Sequence, residues 1–304
     1  MNKEQLGTIL ALLTAVVSGV AIPANKIFIV KMDPLVFTAV RAVIIGVVFL
    51  VVAYWQFGKN KKPKAKFISV NWKYLAGIAI IGGAIAFYLY FAGLKLTTAG
   101  HAAFLHKTLP LYTAILAYIF LKERITKKYA VAMLLMIVGS AAIYLSSILP
   151  TDLWMNPQLG DLLVITAAFL WAVENIISKK AMTSGENNFI VSFARMFFGG
   201  LILFGAIILL GKADALFTLT SQQMINLSVS TLLLLGYVFF YYWAIKLINV
   251  SKAAVLLLVA PVVSLVLGIM FLGEPSPVLQ LLGSAIILIG AYLIVGLKSE
   301  QRGI

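Results

Sequence analysis

Long runs of apolar residues, separated by short polar gaps, extend over almost the whole chain. A transmembrane helix needs roughly 20 mostly apolar residues, and ten of the runs reach that length. The gaps between them leave no room for a soluble domain. The pattern therefore predicts an all-α membrane protein with ten transmembrane helices. They cover residues 6–25, 34–55, 74–94, 99–121, 129–149, 160–181, 189–211, 226–248, 253–272 and 277–297.

The motifs of the first half recur in the same order in the second half. The matched positions are Leu6 and Leu159, Gly7 and Gly160, Arg41 and Arg195, Ala102-Ala103 and Ala253-Ala254, Pro110 and Pro261, and Glu123 and Glu274. We predict two five-helix repeats, residues 1–150 and 151–304. Because five is an odd number, the second repeat starts on the opposite side of the membrane and is inverted. Such repeats are typical of secondary transporters, whose substrate site lies near the midplane between the halves.

Composition and charge placement support a membrane location. Hydrophobic residues make up 62% and charged residues 11% of the chain, against about 45–50% and about 25% in soluble proteins. The net charge is +14, and most lysines and arginines fall in gaps that share one side if the helices alternate. Such loops stay in the cytoplasm. We therefore predict the cell (inner) membrane with both termini cytoplasmic, and the lipid bilayer rather than nucleic acid as partner.

Several classes of chemistry lack their sequence signatures. The chain has no cysteine, which excludes disulfides and thiolate metal sites. We find no phosphate-binding GxxxxGK[ST] loop, no HExxH motif and no pair of carboxylates with hydrolase spacing, so neither an ATP-driven pump nor an enzyme is predicted. No metal or cofactor is predicted either. The first apolar run could be a cleaved signal peptide, but its repeat partner at 160–181 predicts that it is retained.

The chain resembles the drug/metabolite transporter superfamily, of the EamA type, over essentially its whole length. The resemblance is carried by Lys26, Arg41, Pro110, Glu123, Trp171, Lys179, Arg195, Pro261 and Glu274. It implies ten helices in a five-plus-five inverted repeat and transport of a small metabolite, often export, with the substrate left open. Lys107 and Glu174 lie outside the general family pattern, and Ser18 stands where the first half usually has a tryptophan.

Charged residues inside apolar runs are the first candidates for a site, because an ionisable group in the membrane core is costly unless it faces a cavity or a partner. Glu174 is predicted to bind a substrate amine or a proton; the alternatives are a structural ion pair and a side chain that reaches toward the membrane surface. Lys107 binds a substrate carboxylate or neutralises Glu174. His106 is a proton relay or a structural hydrogen-bonding group.

Aromatic and arginine residues extend this candidate site. Trp171, Tyr88 and Tyr237 are predicted to wall it, with packing or an interfacial belt as the alternative. Arg41 and Arg195 are predicted to tie helix ends together at gates, or to bind a carboxylate.

The remaining candidates concern gating and helix packing. Pro110 and Pro261 are predicted to kink the fourth and ninth helices around a cavity, which helices one, three, four, six, eight and nine line. Glu123 and Glu274 are predicted to accept hydrogen bonds from the first N–H groups of helices five and ten, or to act in gating. Small residues in those two helices permit close contact within the fold or in a homodimer.

These observations predict a secondary transporter that exports a small polar metabolite by alternating access. An amino acid or related zwitterion suits a site with one negative and one positive side chain. The alternative substrate is a hydrophobic or quaternary cation, with Lys107 only compensating Glu174. A proton on Glu174 would supply the driving force, whereas facilitated diffusion needs none.

Overall fold

The computed structural model describes residues 1–29, 32–59, 71–97, 99–145, 159–273 and 277–300. Within these residues ten helices are long and apolar enough to cross a membrane, which confirms the predicted all-α fold class. They are α1 (Lys3–Phe28), α2 (Pro34–Lys59), α3 (Trp72–Leu96), α4 (Ala99–His106 and Leu109–Phe120), α5 (Lys127–Leu145), α6 (Leu159–Thr183), α7 (Asn188–Leu209), α8 (Ser221–Leu247), α9 (Val250–Leu256 and Ala260–Leu272) and α10 (Val278–Val295).

Helix starts depart from the sequence prediction where polar groups cap the first turn. Helix α8 begins earlier than predicted because Thr220 and Gln223 form a capping box, in which each side chain accepts a hydrogen bond from the other residue's amide. Asn2 and Gln5 form the same box at the start of α1. Helix α9 also begins earlier, at Val250, where the carboxylate of Glu123 accepts hydrogen bonds from its first amides.

The packing pairs helices of the first five with helices of the second five. Helix α1 lies against α8 and α9, and α6 lies against α3 and α4. Helix α2 packs on α7, and α5 packs on α10. Two halves related by a two-fold axis would give such reciprocal packing. The pairing is therefore consistent with the inverted repeat, which stays a prediction.

The small residues of α5 and α10 face each other. A Cβ built on Gly139 would meet the carbonyl oxygen of Gly283, and a Cβ on Gly283 would meet that of Gly139. Gly290 lies against the Met136 side chain in the same way. These small faces therefore permit close contact within the fold, and the predicted homodimer has no support from them.

Helices α4 and α9 are both interrupted just ahead of their prolines. Pro110 has no amide hydrogen, so the carbonyl of His106 loses its normal helical partner. The amides of Lys107 and Thr108 instead bond three residues back, at 2.9 and 3.1 Å. In α9 a 3₁₀ turn at Leu257–Val259 precedes Pro261. Both helices are thus interrupted ahead of these prolines, while the kink around a cavity and its bending during transport stay predictions.

Two wide helical turns, which the apolar pattern did not predict, meet inside the bundle. Helix α3 has π-helical geometry over Ile78–Ile85, and α7 has it over Ala194–Phe198. Gly83 of α3 lies against Gly199 of α7, where a Cβ on either residue would strike backbone atoms of the other helix. Such turns often occur at functional sites, because they shift the side chains that follow around the helix.

An ion pair lies at each end of the bundle. At the end that carries both termini, Lys252 bonds Glu4 at 2.8 Å, and Ser299 bonds the same carboxylate at 3.0 Å. We call this the termini end. At the opposite end, Lys212 pairs with Asp33 at 2.8 Å beside a cavity. We call this the far end.

Candidate substrate site

The acidic centre of the bundle is the carboxylate of Glu174 on α6, which has 1% relative exposure. Its Oε1 accepts hydrogen bonds from the hydroxyls of Ser178 and Tyr242, each at 2.5 Å. Its Oε2 lies 3.5 Å from Nε of Arg195. Oε1 is thus held by two hydrogen bonds, while Oε2 meets Arg195 in an ion pair without a hydrogen bond, which supplies the counter-charge that a buried anion requires.

Three local features bring this centre together. Ser178 follows Glu174 by one helical turn and so lies on the same face of α6. Arg195 lies in the wide turn of α7, and its guanidinium sits over the ring of Tyr242 at 5.7 Å. Gly82 of α3 leaves room for the acid, since a Cβ there would overlap the Glu174 side chain.

The cation beside Glu174 is not the one that the sequence suggests. Glu174 is paired with Arg195, so the alternative in which Lys107 neutralises it is wrong. Arg195 likewise meets a carboxylate in the core and does not tie helix ends together. Tyr237, predicted as a wall residue, lies near this centre: it stacks on Tyr241 at 5.7 Å, and Tyr241 contacts Tyr242 at 6.0 Å.

A group of rings, which we call the aromatic cluster, lies one turn from Glu174 along α6. It consists of Phe87, Tyr90, Phe91, His106 and Trp171. The Trp171 ring contacts Phe87, Tyr90 and His106 with centroid distances of 5.2, 5.3 and 5.2 Å. Its Nε1 donates to the carbonyl of Gly82 at 3.1 Å. The cluster thus joins α3, α4 and α6 and places His106 in contact with two aromatic rings.

Tyr88 is not part of this cluster. It has 47% relative exposure and lines the far-end cavity. The sequence singled out Tyr88 from the aromatic run of α3, whereas Tyr90 is the tyrosine that contacts Trp171. Residues three or four apart on a helix share a face, as Phe87 and Phe91 do. This spacing is the sequence signal that indicates Tyr90, three residues after Phe87, rather than Tyr88.

Lys107 lies at the interruption of α4, beside His106, with 7% relative exposure. Among the described residues, its ammonium makes no hydrogen bond and no ion pair. The other buried lysines differ: Lys179 donates to the carbonyls of Ile245 and Ile248 at 2.6 and 2.7 Å. Lys107 is therefore a buried cation that lacks a protein partner in this part of the chain.

Arg41, the repeat counterpart of Arg195, has different surroundings. Its Nε donates to the carbonyl of Phe37 at 2.9 Å, and a second guanidinium nitrogen donates to Ser230 at 2.7 Å. Ser230 in turn donates to Asn25 at 2.5 Å. Arg41 thus ties α2 to α8 and α1, and within the described residues no carboxylate pairs with it.

The far-end cavity has a volume of about 250 Å³ and lies between α2, α3 and α7. This lining differs from the predicted set of helices. Phe87 and Phe91 line it from α3, and the same residues contact rings of the aromatic cluster: Phe87 contacts Trp171, and Phe91 contacts Tyr90. These two phenylalanines therefore separate the cavity from the rest of the aromatic cluster.

The lining of the cavity includes three charged side chains, Asp33, Lys95 and Lys212. Burial acts to raise the pKa of Asp33, but the hydrogen bond and charge of Lys212 and the amides of Leu35 and Val36 bring it below its usual range. Asp33 therefore remains ionised and tied to Lys212.

Glu123 caps a different helix from the predicted one. Its carboxylate accepts the amides of Val250 and Ser251 at 2.8 and 3.1 Å, at the start of α9. The first turn of α5 is capped instead by Thr126, which accepts the amide of Tyr129 at 3.2 Å. Burial raises the pKa of Glu123, although the hydrogen bond from Ser251 and those amides act to lower it. Glu123 thus joins the two halves at the termini end.

Two further expectations concern Glu274 and metal binding. Glu274 lies outside the described residues. Among the residues that the structure describes, no cluster of three or more His, Asp or Glu side chains could hold a metal ion.

Comparison with known proteins identifies what the chain is similar to. The model of the EamA-like transporter family matches residues 5–145 and again residues 158–296. A "Probable amino-acid metabolite efflux pump" of Salmonella typhimurium is 28% identical over 304 residues, covering 93% of this chain and 93% of that protein. An "Uncharacterized transporter" of Archaeoglobus fulgidus is 26% identical over 297 residues, covering 93% and 96%.

A solved crystal structure has the same fold. It matches with a TM-score of 0.73 at 18% sequence identity and covers 95% of this chain and 96% of the other. At that identity the likeness concerns the fold alone.

Proposed function

Because the chain belongs to the EamA-like transporter family, and is thus a multi-pass membrane transporter, we propose that it exports a small polar metabolite by alternating access. The proposed substrate is an amino acid or a related zwitterion. The observation that carries the proposal is Lys107, a buried ammonium without a partner among the described residues, next to the aromatic cluster. The name of the Salmonella typhimurium relative supports the same substrate class.

In this proposal Lys107 binds the substrate carboxylate. A charge-assisted hydrogen bond of this kind is among the strong ones in proteins. The rings of Trp171 and Tyr90 hold the apolar part of the substrate, and His106, which packs on both rings, precedes the lysine in the chain. Trp171 is fixed for this role by its hydrogen bond to the Gly82 carbonyl.

Glu174 has a less direct role in this proposal. Its oxygens are held by Arg195, Tyr242 and Ser178, so a substrate ammonium would have to displace Arg195 to reach it. The same pairing weighs against export of hydrophobic or quaternary cations, which would need Glu174 as a free anion. A proton taken up by Glu174 would release Arg195, which gives a route for proton coupling.

Flux into liposomes tests the proposal. Purified protein reconstituted with a substrate gradient should move labelled amino acids faster than protein-free liposomes. Lys107→Gln should reduce this flux by about tenfold or more, because a hydrogen bond to a charged group contributes about 1.5–3 kcal/mol. Lys73→Gln, an exposed lysine on α3, is the matched control and should keep the wild-type rate.

Two outcomes would contradict the proposal: no flux of any amino acid above the protein-free level, or equal flux in the Lys107 and Lys73 variants.

A proton gradient imposed in the same liposomes tests coupling. Flux that depends on that gradient in the wild type and not in Glu174→Gln would support a proton on Glu174.

We also propose that the termini end faces the cytoplasm of the cell. The support is the excess of lysine and arginine in the gaps assigned to that side. A reporter fused after Gly58 should behave as cytoplasmic, and one fused after Asn156 as external. The reverse labelling would mean that the protein lies the other way round.

A further inference from the structure

The charges of the site are unequal in a way that bears on the substrate. The one buried acid of the centre, Glu174, already has a cation within 3.5 Å and two hydroxyl donors on its other oxygen. The carboxylate is almost fully buried and its charge is neutralised by Arg195, so a charged ligand reaches it only if the ion pair opens. A substrate ammonium therefore has no free carboxylate to meet in this centre.

The opposite is true of one cation, Lys107. The Lys107 side chain is buried, with 7% relative exposure. Within the described residues, its ammonium has no carboxylate partner and no hydrogen-bond acceptor. An isolated cation inside a membrane protein is costly and is normally compensated. The group that would compensate Lys107 is an anion supplied by a ligand.

The cavity at the far end has the same sign. Its charged lining residues are Lys95, Lys212 and Asp33, so positive charge is in excess there. Both oxygens of Asp33 are engaged: Oδ2 binds Lys212, and Oδ1 accepts the amides of Leu35 and Val36. A cleft with an excess of one sign concentrates ligands of the other sign.

The aromatic cluster lies between the far-end cavity and the part of α4 that carries Lys107. Phe87 and Phe91 form the wall between the cavity and the rings of Trp171 and Tyr90. His106 packs on both of those rings, and Lys107 is its neighbour in the chain. A ligand that passes Phe87 and Phe91 from the cavity thus moves from one region of positive charge toward another.

We infer that the transported species is recognised as a carboxylate anion and that its amino group is dispensable, so 2-oxo acids are ligands of the same site as the matching amino acids. This inference rests on the proposed function, since it names the part of the substrate that the site reads. It differs from that function in predicting that a compound without any ammonium binds as well as the zwitterion.

Binding to the purified full-length protein tests the inference with two matched series. The aliphatic series is L-leucine, 4-methyl-2-oxopentanoate, L-leucinamide and 3-methylbutylamine. The aromatic series is L-phenylalanine, phenylpyruvate, L-phenylalaninamide and 2-phenylethylamine. In at least one series, the amino acid and the oxo acid should raise the thermal midpoint and compete with each other. The amide and the amine, which lack the carboxylate, should bind at least about tenfold more weakly.

Variants of Lys107 complete the test. Lys107→Gln should abolish binding of both acids, while Lys107→Arg keeps the charge and should retain part of it. Lys73→Gln should bind like the wild type. Since Lys107→Gln removes a buried unpaired charge, the ligand-free variant should unfold at the same or a higher temperature, so that loss of binding cannot be ascribed to misfolding.

Each result has one meaning. An amino acid that binds while its oxo acid does not would overturn the inference and leave the proposed function standing. An oxo acid that binds through Lys107 without any amino-acid flux would support the inference and overturn the zwitterion as substrate. Binding of the amine or the amide as tightly as the matching acids, or no binding by any compound of either series, would overturn the inference.

Discussion

Glu174→Gln is expected to lower the free energy of unfolding by about 3–5 kcal/mol, because it leaves the Arg195 guanidinium buried without its counter-charge. Glutamine can still accept hydrogen bonds from Ser178 and Tyr242, so the loss reports the charge rather than the contacts. Chemical unfolding in detergent micelles, followed by circular dichroism, measures it.

Two further variants separate the pair from a general effect of removing an acid. Glu174→Gln combined with Arg195→Gln removes both charges and should recover most of the lost stability, since neither partner is left alone. Glu300→Gln removes an exposed ion pair, in which the Glu300 side chain is 48% exposed and the Arg124 side chain 60% exposed. It should lower the free energy of unfolding by less than about 1 kcal/mol. If Glu174→Gln and Glu300→Gln have equal effects, the pair in the core is not the source of stability.

The ten helices could be predicted because their signal is simple. Length and apolarity alone identify a membrane span, and the helices confirm this. Their starts were less predictable. The box formed by Thr220 and Gln223 is visible in the sequence as a capping motif and extends α8. The start of α9 is set by Glu123, which is remote in sequence, so no local pattern indicates it.

The partner of Glu174 could not be predicted for a related reason. Depth along a straight helix placed Lys107 near Glu174, but the choice between Lys107 and Arg195 depends on the direction in which each side chain points. The wide turn over Ala194–Phe198 changes that direction for Arg195, and the turn has no apolar signature because every residue around it is compatible with an α-helix. The charged residues were found, whereas their pairing required the structure.

The aromatic cluster illustrates the same limit. The run Phe87, Tyr88, Tyr90 and Phe91 was evident in the sequence. Which of its rings point inward depends on the rotation of α3, and that rotation follows the wide turn over Ile78–Ile85. Tyr88 faces the cavity at the far end, while Tyr90 packs on Trp171.

Gly199→Ala is expected to destabilise the protein by about 2–3 kcal/mol, because α3 and α7 touch through backbone atoms at this point. A Cβ on Gly199 would lie 2.6 Å from the Cα of Gly83, and no side chain is present there that could move aside. Overpacking of a tight contact costs about 1–3 kcal/mol. Because Arg195 lies in the adjacent wide turn, the separation of α3 from α7 should also weaken its pairing with Glu174 and reduce transport. Thermal unfolding and liposome flux measure the two effects.

Gly205→Ala is the control, since it lies on the same helix and a Cβ there would meet nothing within 4 Å. Alanine favours a helix over glycine by about 1 kcal/mol, so this variant should be neutral or slightly more stable. The difference between the two variants isolates the contact with Gly83 from the general effect of adding a methyl group to α7. If Gly199→Ala behaves like Gly205→Ala in unfolding and in flux, the close approach of α3 and α7 does not hold Arg195 in place.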